Sequence, residues 1–133
     1  MSHLLLQMDL LHNLLMSDIK MWNKRKNAYS PLSVVLDTGA SVTTISDNIL
    51  LRAGYDINSG KTQRITTASG IEYVREVVVD KIKIDNFEID NVLVYAHTFP
   101  QESFASAVLG LNVLSKFDVN LLFSKKLIEL TLI

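Results

Sequence analysis

The apolar residues of this chain fall in short runs and alternations broken by polar turns, not in long helical stripes. Residues 15–22 suit a strand. Residues 25–31 are polar and end in Pro31, which predicts a loop. Leu32-Ser33-Val34-Val35-Leu36 is a short β-branched run, a buried strand that passes straight into Asp37-Thr38-Gly39. Residues 42–46 are strand-like. Ser46 or Asp47 is placed to cap a short helix over 48–53, and Gly54 suits its end.

Residues 63–67 and 71–79 are strand-prone and flank Ala68-Ser69-Gly70, a hairpin signature with a three-residue tip. Residues 81–84 alternate, and 87–95 extend the pattern. Ala107-Val108-Leu109 is a second buried run, closed by Gly110 and followed by a short helix over 111–116. Residues 119–123 and 127–133 supply two more strands. The expected fold is mostly β, barrel-like or sandwich-like, with one or two short helices.

The leucine-rich start is open to two readings. Leu4, Met8, Leu11 and Leu15 would share one face of an amphipathic helix over 2–15, but the same residues can begin a strand. Gln7, Asp9, His12 and Asn13 interrupt the run, and no Lys or Arg precedes it, unlike a secretory signal. It is also too broken for a membrane span. A soluble, cytoplasmic protein is expected, with residues 1–28 as an extension plus first strand and 29–133 as the main domain.

Composition narrows the function. The 133 residues suit one domain, and 48% hydrophobic with 20% charged residues supports a packed core. A net charge of -1 offers no field for phosphate backbones, so no nucleic-acid partner is expected. The absence of cysteine removes thiolate metal sites and cysteine nucleophiles. His3, His12 and His97 lack metal-ligand spacing and read as surface or cap residues, so neither metal nor cofactor is expected. Ser59-Gly60-Lys61-Thr62 has the ending of a phosphate loop, but Gly54 stands one residue too far upstream and no apolar strand leads in. Gly39-Ala40-Ser41-Val42-Thr43 lacks the second glycine of a serine-hydrolase elbow.

The informative segment is Val34-Val35-Leu36-Asp37-Thr38-Gly39-Ala40-Ser41. Strand interiors usually exclude Asp. Gly39, two residues on, permits a tight bend that can project one carboxylate from a rigid strand end. An ordinary Asp-initiated turn is the alternative for the triplet taken alone. The hairpin tip at Ala68-Ser69-Gly70 and the run Ala107-Val108-Leu109-Gly110 before a short helix add two further features. In this order and spacing the three resemble the retroviral and retrotransposon aspartic proteases and their bacterial relatives, from Leu32 to Val119. Gly39, Gly70 and Gly110 fall on that family's glycine positions.

The resemblance implies a retropepsin-like acid-protease barrel with one lobe per chain. It implies Asp37 as the catalytic aspartate, with Thr38, Gly39, Ala40 and Ser41 supporting the active-site loop. Thr38 would brace the two loops of a dimer. Thr67, Ala68, Ser69, Gly70 and Ile71 would form a flap over a bound peptide, and Val108, Leu109 and Gly110 would support the loop from behind. Many retroviral members carry an Asp where Ser41 stands and an Arg where Leu111 stands. Loss of both partners together strands no charge, so it points to a cellular relative and not to a broken enzyme.

Hydrolysis by this route needs two neighbouring carboxylates sharing one proton. Asp56, Asp80, Asp85, Asp90 and Asp118 lack a following Thr-Gly or Ser-Gly. The second carboxylate is therefore expected from Asp37 of another copy, in a two-fold homodimer acting on a peptide or protein, with residues 127–133 as the strand that pairs across the axis. A catalytically silent dimerisation or peptide-binding module of the same fold is the alternative.

Overall fold

The computed structural model describes residues 3–11, 13–99 and 105–133. Eleven strands and two short helices alternate along them: β1 (His3–Gln7), β2 (Asp9–Leu11), β3 (Leu14–Asn23), β4 (Ala28–Leu36), β5 (Thr43–Ser46), α1 (Asp47–Arg52), β6 (Thr62–Thr67), β7 (Gly70–Ile84), β8 (Phe87–His97), β9 (Ala107–Leu109), α2 (Leu111–Leu114), β10 (Phe117–Leu122) and β11 (Leu127–Leu132). The larger sheet runs β2-β3-β4-β9-β5-β8-β7-β6. β7 also pairs back onto β3 at Lys20↔Lys83 and Met21↔Ile82, which closes β3, β4, β9, β5, β8 and β7 into a barrel. β6 stands outside that ring, hydrogen-bonded to β7 alone. The protein is mostly β and forms a single lobe, as expected.

Alternation builds the core. Along β7 and β8, Val77, Val79, Ile82, Ile84, Ile89, Val92, Val94 and Ala96 all turn inward, alternating on either side of a phase shift at 80–81 and 90–91, and meet Val34, Ile45 and Leu109. The three-stranded sheet β1-β11-β10 lids this core with Leu4, Leu6, Ile128 and Leu130. Residues from Leu4 to Leu130 thus share one apolar interior.

The N-terminal segment is extended, not helical. Leu4, Leu6 and Met8 are buried while Leu5 is exposed, a period of two. β1 pairs antiparallel with β11, which supplies it with a ladder no isolated helix would need. Ser2 and His12 lie outside the described residues.

The predicted loop at 25–31 is shorter than its polarity implied. The β3–β4 hairpin turns over residues 24–27, where Asn23 Oδ1 accepts the Arg25 and Lys26 N–H groups and Asn27 adopts φ +50°. Pro31 sits within β4, opposite Lys20. β9 pairs only Val35 and Leu36, so at Pro31 the strand has a neighbour on one side alone and tolerates a residue with no N–H. The helix after Asp47 forms as expected, and Gly54 ends it with φ +89° and an N–H bond to Leu51 O. The second helix stops at Leu114, two residues early, because Phe117 already opens β10. Neither is long and apolar enough to cross a membrane.

The C-terminal strand needs a correction. β11 is the middle strand of its sheet, with β1 on one side and β10 on the other, so its edges are occupied by the same chain. Within this chain both of its edges are taken, and the open edges of the sheet are those of β1 and β10.

Candidate active site

β4 delivers Asp37. Val35 and Leu36 pair in parallel with Val108 and Leu109, and the ladder continues one step into the turn, where Asp37 N–H donates to Leu109 O at 3.1 Å. Ala40 N–H closes the turn onto Asp37 O at 3.2 Å. Gly39 N–H donates to Asp37 Oδ1 at 2.8 Å and orients the carboxylate. A Cβ at Gly39 would lie 3.1 Å from that oxygen, so the backbone comes as near as it can. Among the described residues no other group donates to the carboxylate, which is exposed.

Behind this loop the chain crosses itself. Leu111 N–H donates to Ala40 O at 2.8 Å and Asn112 N–H to Ser41 O at 3.1 Å. Thr43, fully buried, accepts Gly110 N–H at 3.0 Å through its hydroxyl. The same hydroxyl and the Thr43 N–H both donate to Asn112 Oδ1, at 2.9 and 2.8 Å. Asn112 Nδ2 then donates to Leu93 O at 2.8 Å. Each polar atom of Thr43 and Asn112 is used, which makes the crossing rigid and intolerant of loss.

Gly110 occupies the crossing itself. A Cβ there would stand 2.7 Å from Val42 C and 2.9 Å from both Ala40 O and Thr43 N, all backbone atoms that cannot swing aside. G110A is expected to destabilise the protein by about 2 kcal/mol or more, as overpacking of a fixed site does. Urea unfolding checks this: an unchanged midpoint would mean the loops part freely.

Facing the loop, β6 and β7 form the hairpin. Its turn is tighter than expected. Ala68 and Ser69 alone make the tip, while Gly70 (φ +122°) already opens β7 opposite Thr67. Thr67 Oγ1 donates to Gly70 O and accepts Ser69 N–H. Between hairpin and loop lies a cleft of about 610 Å³. Asp37 and Gly39 to Val42 line one side, with Thr44 beside them; Ile65 to Ala68 line the other, and Tyr95 forms one end. Apart from Asp37, no charged residue lines it.

The structure therefore gathers Asp37, Gly39, Ala40, Ser41, Thr67 and Ala68 around one cleft. Thr38 is exposed at the turn and makes no hydrogen bond among the described residues. Ser69, Gly70 and Ile71 do not line the cleft, and Ile71 is exposed. Val108, Leu109 and Gly110 lie behind the loop. Ser41 and Leu111 are both exposed, with no stranded charge between them. The Ser59-Gly60-Lys61-Thr62 stretch is the bend entering β6, and Gly60 O is taken by Arg75 Nη1. Sequence reasoning passed over Thr43, Asn112 and Tyr95. The one available signal was a threonine and an asparagine at fixed distances beyond Asp37 and Gly110.

The family model for "gag-polyprotein putative aspartyl protease" matches residues 25–116. No curated protein sequence matches the chain. Among solved structures, the crystal structure of a retropepsin-like aspartic protease from Rickettsia conorii superposes with a TM-score of 0.70 at 18% identity, over 97% of this chain and 89% of that one. At that identity the likeness speaks for the fold. The matched span contains the aspartate turn, the hairpin and the Gly110 crossing together. On that match, the chain belongs to the gag-type aspartyl protease family and carries its retropepsin-like fold.

Proposed function

We propose that this protein is an aspartic endopeptidase that works as a homodimer, with Asp37 of each copy forming the catalytic pair. One observation carries the reading. A single exposed carboxylate, fixed by a glycine N–H at a strand end, faces a cleft roofed by a hairpin. Alone it can accept one proton and do little else. Beside a second copy of itself it becomes a pair in which like charge keeps one proton bound. The ionised member takes a proton from water as the oxygen attacks the scissile carbonyl. The protonated member hydrogen-bonds the developing oxyanion, and the proton taken from water passes to the leaving amine, which leaves the pair with one proton as before. Thr38, with an unused hydroxyl next to the pair, suits bracing one loop against the other. The flap residues Thr67 and Ala68 close the cleft over a peptide, and its uncharged lining suits neutral side chains.

The edge of β10 is the surface that fits a second copy. Val119 lies opposite Leu130 and Leu121 opposite Ile128, and directly paired residues share a face of the sheet. Leu130 and Ile128 are fully buried, yet Val119 is 40% exposed and Leu121 36%. Among the described residues, the inward face of the outer strand thus stays partly open to solvent. On the opposite side of this sheet, Asp85 Oδ2 accepts Leu5 N–H and covers part of the β1 edge. Leu111, at the start of α2, is also exposed, and its N–H donates to Ala40 O in the aspartate loop.

Digestion of a peptide library, with and without a pepstatin-type inhibitor, tests the activity. Inhibitor-sensitive cleavage is expected, with a pH profile falling on both limbs because the pair titrates as a unit. A dimer that binds peptides without cutting them would replace the enzyme by a silent module.

A further inference from the structure

Beyond the cleft, one polar cluster is left without a task. His97 ends β8, and its Nε2 lies 2.8 Å from Glu72 Oε2 on β7. Its Nδ1 lies 2.7 Å from Thr98 O. Thr98 Oγ1 in turn donates to Asp47 Oδ2 at the start of α1, at 2.9 Å. The ring also meets Phe99 edge to face.

Its position is what matters. β7 pairs with β8 only from Arg75 onward, so residues 62–74 form an arm that leaves the barrel. Towards the tip from that point, two polar side-chain ties join arm and barrel among the described residues: Gln63 Nε2 to Glu76 Oε2 at the base of the arm, and Glu72–His97 nearest the tip. The other ties sit at or below the departure point: Arg75 Nη1 to Asn58 O and Gly60 O, and Glu76 N–H to Lys61 O. Glu72 stands opposite Ile65, which lines the cleft.

The chemistry of the ring makes the tie conditional. A neutral imidazole carries one N–H. Both of its nitrogens here face oxygens, a backbone carbonyl and a carboxylate, and with Glu72 ionised neither oxygen can donate. Only imidazolium satisfies both. The charged groups that face it are Glu72 from β7 and Asp47 from α1, the latter through the Thr98 hydroxyl. From β5 the paired residue is neutral Ser46, and the one cation near on β7, Arg75, is committed to loop carbonyls.

We propose that His97 is a positioning residue that, as imidazolium, holds the flap arm against the barrel through Glu72, so that protonation sets how firmly the cleft is covered. This rests on the protease reading for its consequence, but not for its test. Hydrogen exchange of the amides in 62–74, corrected for intrinsic rates, reads the tie directly in the whole protein. Protection of the arm is expected to be about tenfold lower at about pH 8 than at about pH 5.5. H97A loses it at both pH values. H97Q, whose amide can still donate to Glu72, keeps part of it with no pH dependence. If H97A does not fold, E72A, altered on the half-exposed partner, takes its place. With a cleaved peptide in hand, H97A raises KM more than it lowers kcat. Arm protection equal at both pH values and unmoved by the variants overturns the latch. A pH-dependent arm on a protein that cuts no peptide leaves the latch standing and sinks the protease.

Discussion

D37N is expected to abolish the proposed peptide cleavage while leaving the barrel and the proposed dimer folded. The carboxylate is exposed and makes one hydrogen bond, from Gly39 N–H to Oδ1. An asparagine oxygen accepts that bond equally well. The change is therefore expected to cost the fold no more than about 0.5 kcal/mol, as surface substitutions away from special features do. Chemistry suffers far more. Asparagine can take no proton from water, and in a dimer both halves of the pair change at once. A positioned base is worth typically 10²–10⁴-fold, so the rate should fall by about 10⁴ or more. Mass spectrometry of a library digest measures the loss, and a melting curve checks the fold. Cleavage surviving in D37N would place the catalytic group elsewhere.

The second large effect concerns the partner. Lysine at both 119 and 121 is expected to leave a folded monomer with almost no activity. In the isolated chain both positions are exposed enough to hold a charge in water, and β10 keeps its pairing with β11. In the dimer they would be buried against like charges from the other copy. Losing two central interface contacts at about 2 kcal/mol each weakens association about 1,000-fold. Lysine on a strand edge also opposes any edge-to-edge pairing. Sedimentation equilibrium across a concentration series reads the shift, and activity should return partly as protein concentration rises. Unchanged dimer affinity would exclude this edge.

The parts of the site legible in the sequence are those in which one short segment does the whole task. Asp37-Thr38-Gly39 announces a carboxylate at a strand end because the Asp follows three apolar positions and a glycine permits the bend after it. The hairpin at Ala68-Ser69 is legible because turn residues interrupt two strands. What hid was contact between distant segments. Thr43 meets Asn112, Glu72 meets His97, and β1 meets β11 across almost the whole chain. Polar residues joined only by folding carry no local pattern. The N-terminal strand hid for another reason: Leu5 is an exposed leucine on the polar phase of the alternation, so the period of two was masked by a helical spacing through Leu4, Met8, Leu11 and Leu15. β11 misled through its terminal position and apolar content, since a strand looks the same whether its neighbours belong to its own chain or to another. Pro31 misled because one-sided pairing cannot be seen without β9 in place.

The parallel contact between Val35 and Val108 also governs timing. Every backbone bond that holds the aspartate turn from behind reaches forward to residues 109–112. Such long closures are slow to form, since chain entropy is lost before any contact rewards it. On the ribosome, then, the acid-bearing bend stays unformed until synthesis has passed Asn112. A half-made polypeptide therefore holds no fixed carboxylate, and on the proposed reading it cannot yet cut itself or its neighbours.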